Sequence, residues 1–135
     1  MTVVLDASVL PKWFLHEEGS EAVLRVKQQY VDDSLTVAIP DLALYEVANV
    51  LRFKQRVPEP QVQTAIRALW TMELDTLSPT TTLLEHGVHL SYQTGLSVYD
   101  CIYLALAKEL NAVLVTADER LCRAGAAAVR VSLLR

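Results

Sequence analysis

Apolar residues along this chain gather in short, β-branched runs that alternate with longer stretches spaced for helices. Thr2–Leu5 predicts a buried strand, ended by Asp6. Residues 7–15 predict a helix, with Ser8 near its start and Pro11 in the first turn, where a missing N–H matters least. A second helix is expected over about residues 20–30, with Glu21 near its N-terminus and Arg25 and Lys27 further along, as the helix dipole favours. Residues 35–39 predict the next buried strand, and Pro40-Asp41 opens a long helix reaching about residue 56. Pro58-Glu59-Pro60 breaks the chain, a helix continues through Trp70, and a short strand is expected at 74–77. Ser78-Pro79-Thr80 starts a helix that Gly95 can close; Ser97 caps the next one and Asn111 ends it. Residues 112–116 form the clearest parallel-type strand, followed by a short helix at 118–124 and a last strand at 129–133. Buried strands separated by helices require a sheet covered on both faces. The expected fold is therefore α/β: a three-layer α/β/α sandwich with a central, mostly parallel sheet, in a single domain over residues 1–135.

Against this pattern, four carboxylates stand where the chain is most apolar. Asp6 follows Thr2-Val3-Val4-Leu5, Glu46 lies within residues 42–51, Asp100 within 96–107, and Asp118 follows Ala112-Val113-Leu114-Val115. Burying an ionised carboxylate without a partner costs several kcal/mol. With no basic residue near them in sequence expected to neutralise them, the natural compensating charge is a hard divalent cation, Mg²⁺ or Mn²⁺, which prefers oxygen ligands and keeps waters that can be activated. Open parallel sheets hold ligands at the carboxyl ends of their strands, and Asp6 and Asp118 lie just beyond such ends. At helical spacing Glu46 shares a face with Leu42, Asn49, Val50 and Phe53, which turns it toward packing, and Asn49 could orient it. Ser97-Val98-Tyr99-Asp100 fits a capping box, a role compatible with a site at the same helix end. Thr116 and Glu119 can form a second such box, or Thr116 can touch metal-bound water. The pattern points to a metal-dependent phosphodiester hydrolase.

Composition bounds this reading. At 135 residues, 52% of them hydrophobic and 21% charged, the chain can bury a large ordered core, which excludes disordered and fibrous classes. Twelve basic against sixteen acidic side chains leave a net charge of −4, so a polyanion must be recruited by local groups. Cys101 and Cys122 form no metal-ligand or Cys-x-x-Cys array and are expected as reduced thiols. No leader-like start and no long uncharged apolar stretch occurs, so no membrane role and a cytoplasmic location are expected.

The segments Val4-Leu5-Asp6-Ala7-Ser8, Tyr45-Glu46-Val47-Ala48-Asn49, Tyr99-Asp100-Cys101-Ile102-Tyr103-Leu104-Ala105 and Thr116-Ala117-Asp118-Glu119-Arg120-Leu121 closely resemble those of the PIN-domain ribonucleases, in order and spacing. A lone domain of this length resembles the VapC toxins of VapBC toxin–antitoxin pairs. The resemblance implies a Mg²⁺-dependent endoribonuclease in which Asp6, Glu46, Asp100 and Asp118 form an acidic quartet. Asp6 and Asp100 would be the direct metal ligands, Glu46 and Asp118 would complete the shell or hold its waters, and Ser8, Asn49 and Thr116 would support them. It further implies an RNA substrate, a cognate antitoxin protein and a homodimer, with an antitoxin groove for which Trp13, Phe14 and Leu15 are candidates. The alternative is a PIN fold kept as a non-catalytic RNA- or protein-binding module.

Other classes fit less well. A phosphoacceptor receiver domain needs an acidic pair after its first strand and a late lysine, and a haloacid-dehalogenase phosphatase needs Asp-x-Asp where this chain has Asp6-Ala7-Ser8. His86 and His89 lie outside the four motifs and are expected at the surface, His16 in a loop, and Trp70 and Met72 in the core or at a dimer contact. Arg52, Lys54 and Arg56, and Arg120 and Arg123, could meet phosphate or be solvated.

Overall fold

The computed structural model describes residues 1–14 and 21–134. Its centre is a five-stranded sheet, β1 (Thr2–Leu5), β2 (Thr36–Pro40), β3 (Asp75–Leu77), β4 (Val113–Thr116) and β5 (Val131–Leu133), in the order β3-β2-β1-β4-β5. Every pairing is parallel, with Val3 opposite Val37 on one side and opposite Val113 on the other. Val3, Val4 and Leu5 of β1 and Leu114, Val115 and Thr116 of β4 are buried consecutively, which requires cover on both faces of the sheet. The predicted α/β class is therefore observed, with the sheet wholly parallel among the described residues.

The helices are α1 (Glu21–Val31), α2 (Leu42–Asn49), α3 (Glu59–Thr71), α4 (Thr81–Thr94), α5 (Val98–Glu109) and α6 (Glu119–Gly125). Thr80 caps α4 by accepting from the Leu83 N–H at 3.1 Å, and Gly95 closes it at φ +76°, a left-handed conformation open to glycine at no steric cost. Asn111, at φ 50°, likewise ends α5. α5 is the central helix: Cys101 to Ala107 are all buried. Its close neighbours need small residues, since a Cβ on Gly87 of α4 would stand 2.7 Å from the Ile102 Cδ1, and one on Gly125 of α6 2.5 Å from the Leu104 Cδ2.

Two expected helices differ. In place of a helix over 7–15 there is a turn followed by a short 3-10 segment, Leu10–Trp13. The Asp6 carbonyl accepts from both the Val9 and Leu10 N–H groups, and Pro11 has no N–H to carry the ladder on. The long helix expected to residue 56 is α2 as far as Asn49, then a π-helical turn over Val50–Lys54, in which the Gln55 N–H reaches the Val50 carbonyl at 2.9 Å. Trp13 is buried and stacks on Tyr30 at 6.2 Å, so of the antitoxin-groove candidates it belongs to the core, Phe14 is half-buried against it, and Leu15 lies outside the described residues, as do His16 and Ser20. Trp70 is exposed and Met72 packs on the core. No described helix is long and apolar enough to cross a membrane.

Candidate active site

The strand order fixes where a site can form. The chain runs from β1 outward through β2 to β3, then returns to place β4 on the other side of β1, so the connections leave β1 and β4 in opposite directions and open a crevice at their carboxyl ends. Asp6 follows β1 and Asp118 follows β4. Glu46 enters from α2 and Asp100 from the first turn of α5. All four line one cleft of about 540 Å³, together with Ser8, Lys12, Val50, Lys54, Gln55, Tyr103 and Glu119. The sequence-predicted quartet is thus brought together.

Each acid is held differently. Asp6 is 5% exposed, and its Oδ1 accepts from the Ser8 Oγ–H at 2.6 Å and the Ser8 N–H at 3.1 Å, its Oδ2 from the Thr116 Oγ–H at 2.6 Å. Burial nevertheless pushes its carboxyl above the ordinary range, the hydrogen bonds pulling the other way and Asp118 adding repulsion. Glu46 is half-buried and its Oε1 accepts from the Tyr103 hydroxyl at 2.7 Å. It too is raised, first by desolvation, against which the Tyr103 bond acts, and then by the charges of Asp100 and Asp6. Tyr103, 2% exposed beneath these acids, is held far above the usual phenol range by burial and by Glu46. Asp118 caps α6, its Oδ1 accepting from the Arg120 and Leu121 N–H groups at 2.9 and 3.2 Å, a role that sequence reading gave to Thr116. Thr116 instead bridges Asp6 and the Asp118 N–H. Ser97 caps α5 as expected, and Asp100, half-buried, has a cationic partner after all: the Arg120 Nη2 donates to its Oδ2 at 3.1 Å.

Other expectations are redrawn. The buried line through α2 and the π-helical turn after it is Ala43, Val47 and Leu51, not the face of Leu42, Val50 and Phe53; Phe53 is 62% exposed. Nearly every residue of this helix is apolar, so periodicity alone did not single out a face. Glu46 sits at the edge of the buried side, and Asn49 is turned to a neighbouring groove of about 610 Å³, beside Tyr45, Arg52 and Val62. Tyr103 is a partner of Glu46 that the sequence does not reveal, because the buried stretch of α5 around it offers no periodic signal. Lys12 and Lys54 line the cleft, and Lys12 was not singled out.

The cleft gathers the carboxylates of Asp6, Glu46, Asp100 and Asp118 beside the Ser8 and Tyr103 hydroxyls, with Lys12, Lys54 and Gln55 around them, and the acids repel one another, which is the chemistry of a site for a hard divalent ion. Among the described residues no three acidic, histidine or cysteine side chains stand close enough, as they lie, to enclose an ion. Asp118 is engaged with the α6 N–H groups and Asp100 with Arg120.

Fold and cleft define a parallel α/β domain with an acid-lined crevice at its topological switch point. The family model described as PIN domain matches residues 3–127, and the chain belongs to that family. It is 30% identical over 125 residues to Ribonuclease VapC3 from Pyrobaculum aerophilum, covering 90% of this chain and 92% of that protein. Similar solved folds include VapBC2 from Rickettsia felis bound to a DNA fragment from its promoter, at TM-score 0.74, 15% identity and full coverage of both chains. Another is VapC20 from Mycobacterium tuberculosis, a sarcin-ricin loop cleaving toxin, at TM-score 0.72 and 14% identity, over 91% of this chain and 95% of that one. A toxin–antitoxin complex from Klebsiella pneumoniae follows at TM-score 0.70 and 19% identity, over 98% of each chain. Nucleases of this kind are generally metal-dependent.

Proposed function

We infer that this chain is an endoribonuclease that hydrolyses RNA phosphodiester bonds with Mg²⁺ or Mn²⁺, and that it is the toxin member of a type II toxin–antitoxin pair. The observation that carries the reading is the meeting of Asp6, Glu46, Asp100 and Asp118 in one cleft of a PIN-domain chain 30% identical to a ribonuclease. Asp6 and Asp100 would hold the ion, with Glu46 and Asp118 completing its shell or its waters. When bound, a divalent ion lowers the pKa of water and stabilises charge on the leaving oxygen. The chain's own groups do the rest. Ser8 and Thr116 fix both oxygens of Asp6, and Tyr103 fixes Glu46. Glu46, raised by burial, is a more basic carboxylate than a solvated one, which favours it as the proton acceptor. Lys12 and Lys54 supply the local positive charge that a chain of net −4 lacks globally. Asn49 takes no part in this scheme.

The partners are an RNA strand and a cognate antitoxin protein, with a homodimer as the assembled toxin acting in the cytoplasm. The test is cleavage of single-stranded RNA with Mn²⁺ or with chelator, by the wild type and by Asp6→Asn and Asp100→Asn. Each substitution is expected to lower cleavage by about a hundredfold or more, the scale of losing an acid–base or metal-holding group. Metal-dependent cleavage retained in both variants refutes the assignment; metal-independent RNA binding without cleavage favours the non-catalytic module.

A further inference from the structure

The four acids differ in what holds them. Asp6, Glu46 and Asp118 are held by neutral donors, whereas Asp100 is held by a guanidinium in the one ion pair among the described residues. Arg120 is tied to two acids at once: its main-chain N–H is bound to Asp118 and its side chain reaches across to Asp100. The contact is made by one nitrogen at 3.1 Å, and the Arg120 side chain is 67% exposed while that of Asp100 is 25% exposed. A monodentate bridge on a long, largely hydrated side chain is weak and easily exchanged, and it leaves most of the guanidinium donors unused. A divalent ion drawn to Asp100 competes with it for the charge of the same carboxylate.

We propose that Arg120 is a displaceable counter-ion. It occupies Asp100 in the metal-free protein, lowers the cleft's affinity for a divalent ion by competing for that carboxylate, and once displaced presents its guanidinium to a substrate phosphate at the cleft's mouth. The proposal rests on the metal-binding reading above. A purely structural role for the pair makes the opposite prediction, since losing a residue that merely positions Asp100 weakens ion binding, while losing a competitor strengthens it.

The experiment is calorimetric titration of Mn²⁺, without RNA, into wild type, Arg120→Ala, Arg120→Lys and Asp6→Asn. Arg120→Ala is expected to bind Mn²⁺ about two- to fivefold more tightly than wild type, the range set by a solvated ion pair. Arg120→Lys, which keeps the charge, is expected to stay within about twofold of wild type, and the gain in Arg120→Ala should shrink toward unity at high salt, where the bridge is screened. Binding of a short single-stranded RNA in Mn²⁺ should weaken in Arg120→Ala despite its tighter hold on the ion. Equal or weaker Mn²⁺ binding by Arg120→Ala, with Asp6→Asn still impaired, overturns this proposal alone. Absence of Mn²⁺ binding by the wild type overturns it together with the metal-dependent reading.

Discussion

Replacing Tyr103 by Phe removes one oxygen from beneath the cleft and changes little else, since the ring keeps its place in the core of α5. What is lost is the 2.7 Å bond to Glu46 Oε1. A hydrogen bond to a charged group contributes about 1.5–3 kcal/mol, and because Glu46 is only half-buried, water can recover part of it, leaving a loss of about 1–2 kcal/mol at neutral pH. For a domain of this size that lowers Tm by roughly 3–8 °C. The loss should depend on pH. Glu46 titrates above its ordinary value in the fold, so its contribution to stability is fully present in acid and is lost as pH rises through its folded pKa. The Tyr103 bond moderates that loss by favouring the ionised form, and without it the carboxyl moves further up. Thermal unfolding of metal-free wild type and Tyr103→Phe at pH 7 and pH 4.5 should therefore show the larger deficit at pH 7. RNA cleavage should fall through kcat with KM little changed, because Glu46 loses orientation and not substrate contact. Equal deficits at both pH values, or no deficit at pH 7, refute the assignment of Tyr103 as the group that holds an ionised Glu46.

Two other outcomes follow from the same structure. With Asp6 and Glu46 both raised by burial, the metal-free protein should lose stability from these groups as pH rises from acid toward 7; saturating Mn²⁺ should offset the loss, adding about 2.7 kcal/mol at a hundred times Kd, and scanning fluorimetry in pH series with metal or chelator measures both. Gly125→Ala should destabilise the chain by roughly 1 kcal/mol in chemical denaturation, because the new methyl meets the buried Leu104 side chain at 2.5 Å, an overpacking cost that exceeds the helix-propensity gain, and a neutral or stabilising result would show that α6 shifts freely.

What the sequence made legible was whatever depends on neighbours along the chain. An acid after a β-branched run reads as a strand end, and Asp6 and Asp118 are there. Capping residues Thr80 and Ser97 and the left-handed Gly95 and Asn111 are local chemistry, and each ends or starts its helix as expected. What stayed illegible depends on residues distant in sequence. The pairing of β4 with β1 joins segments more than a hundred residues apart, so the crevice could be inferred only from general topology. The partners of Glu46 and Asp100 lie on other elements, Tyr103 on α5 and Arg120 on α6. The largely apolar α2 misled in a further way, because a helix with apolar residues on every side gives little phase, and Asn49 lies on another flank from Glu46.

The burial of Asp6 raises a question of protonation, since desolvation favours the neutral acid and a cation site needs the anion. The hydrogen-bond directions around it answer in favour of the anion. Ser8 Oγ accepts from the Ala117 N–H at 2.8 Å, and Thr116 Oγ1 accepts from the Asp118 N–H at 3.0 Å. With backbone donors already pointing at both hydroxyls, their own protons are directed to Asp6, at 2.6 Å on each carboxylate oxygen, and the Ser8 N–H supplies a third donor. A protonated Asp6 would have to aim its proton away from these three donors, so the shell suits the anion better than the acid. The turn after β4 therefore polarises the end of β1 through two hydroxyls, and the fold holds its most buried acid ready for a cation against the pull of its own desolvation.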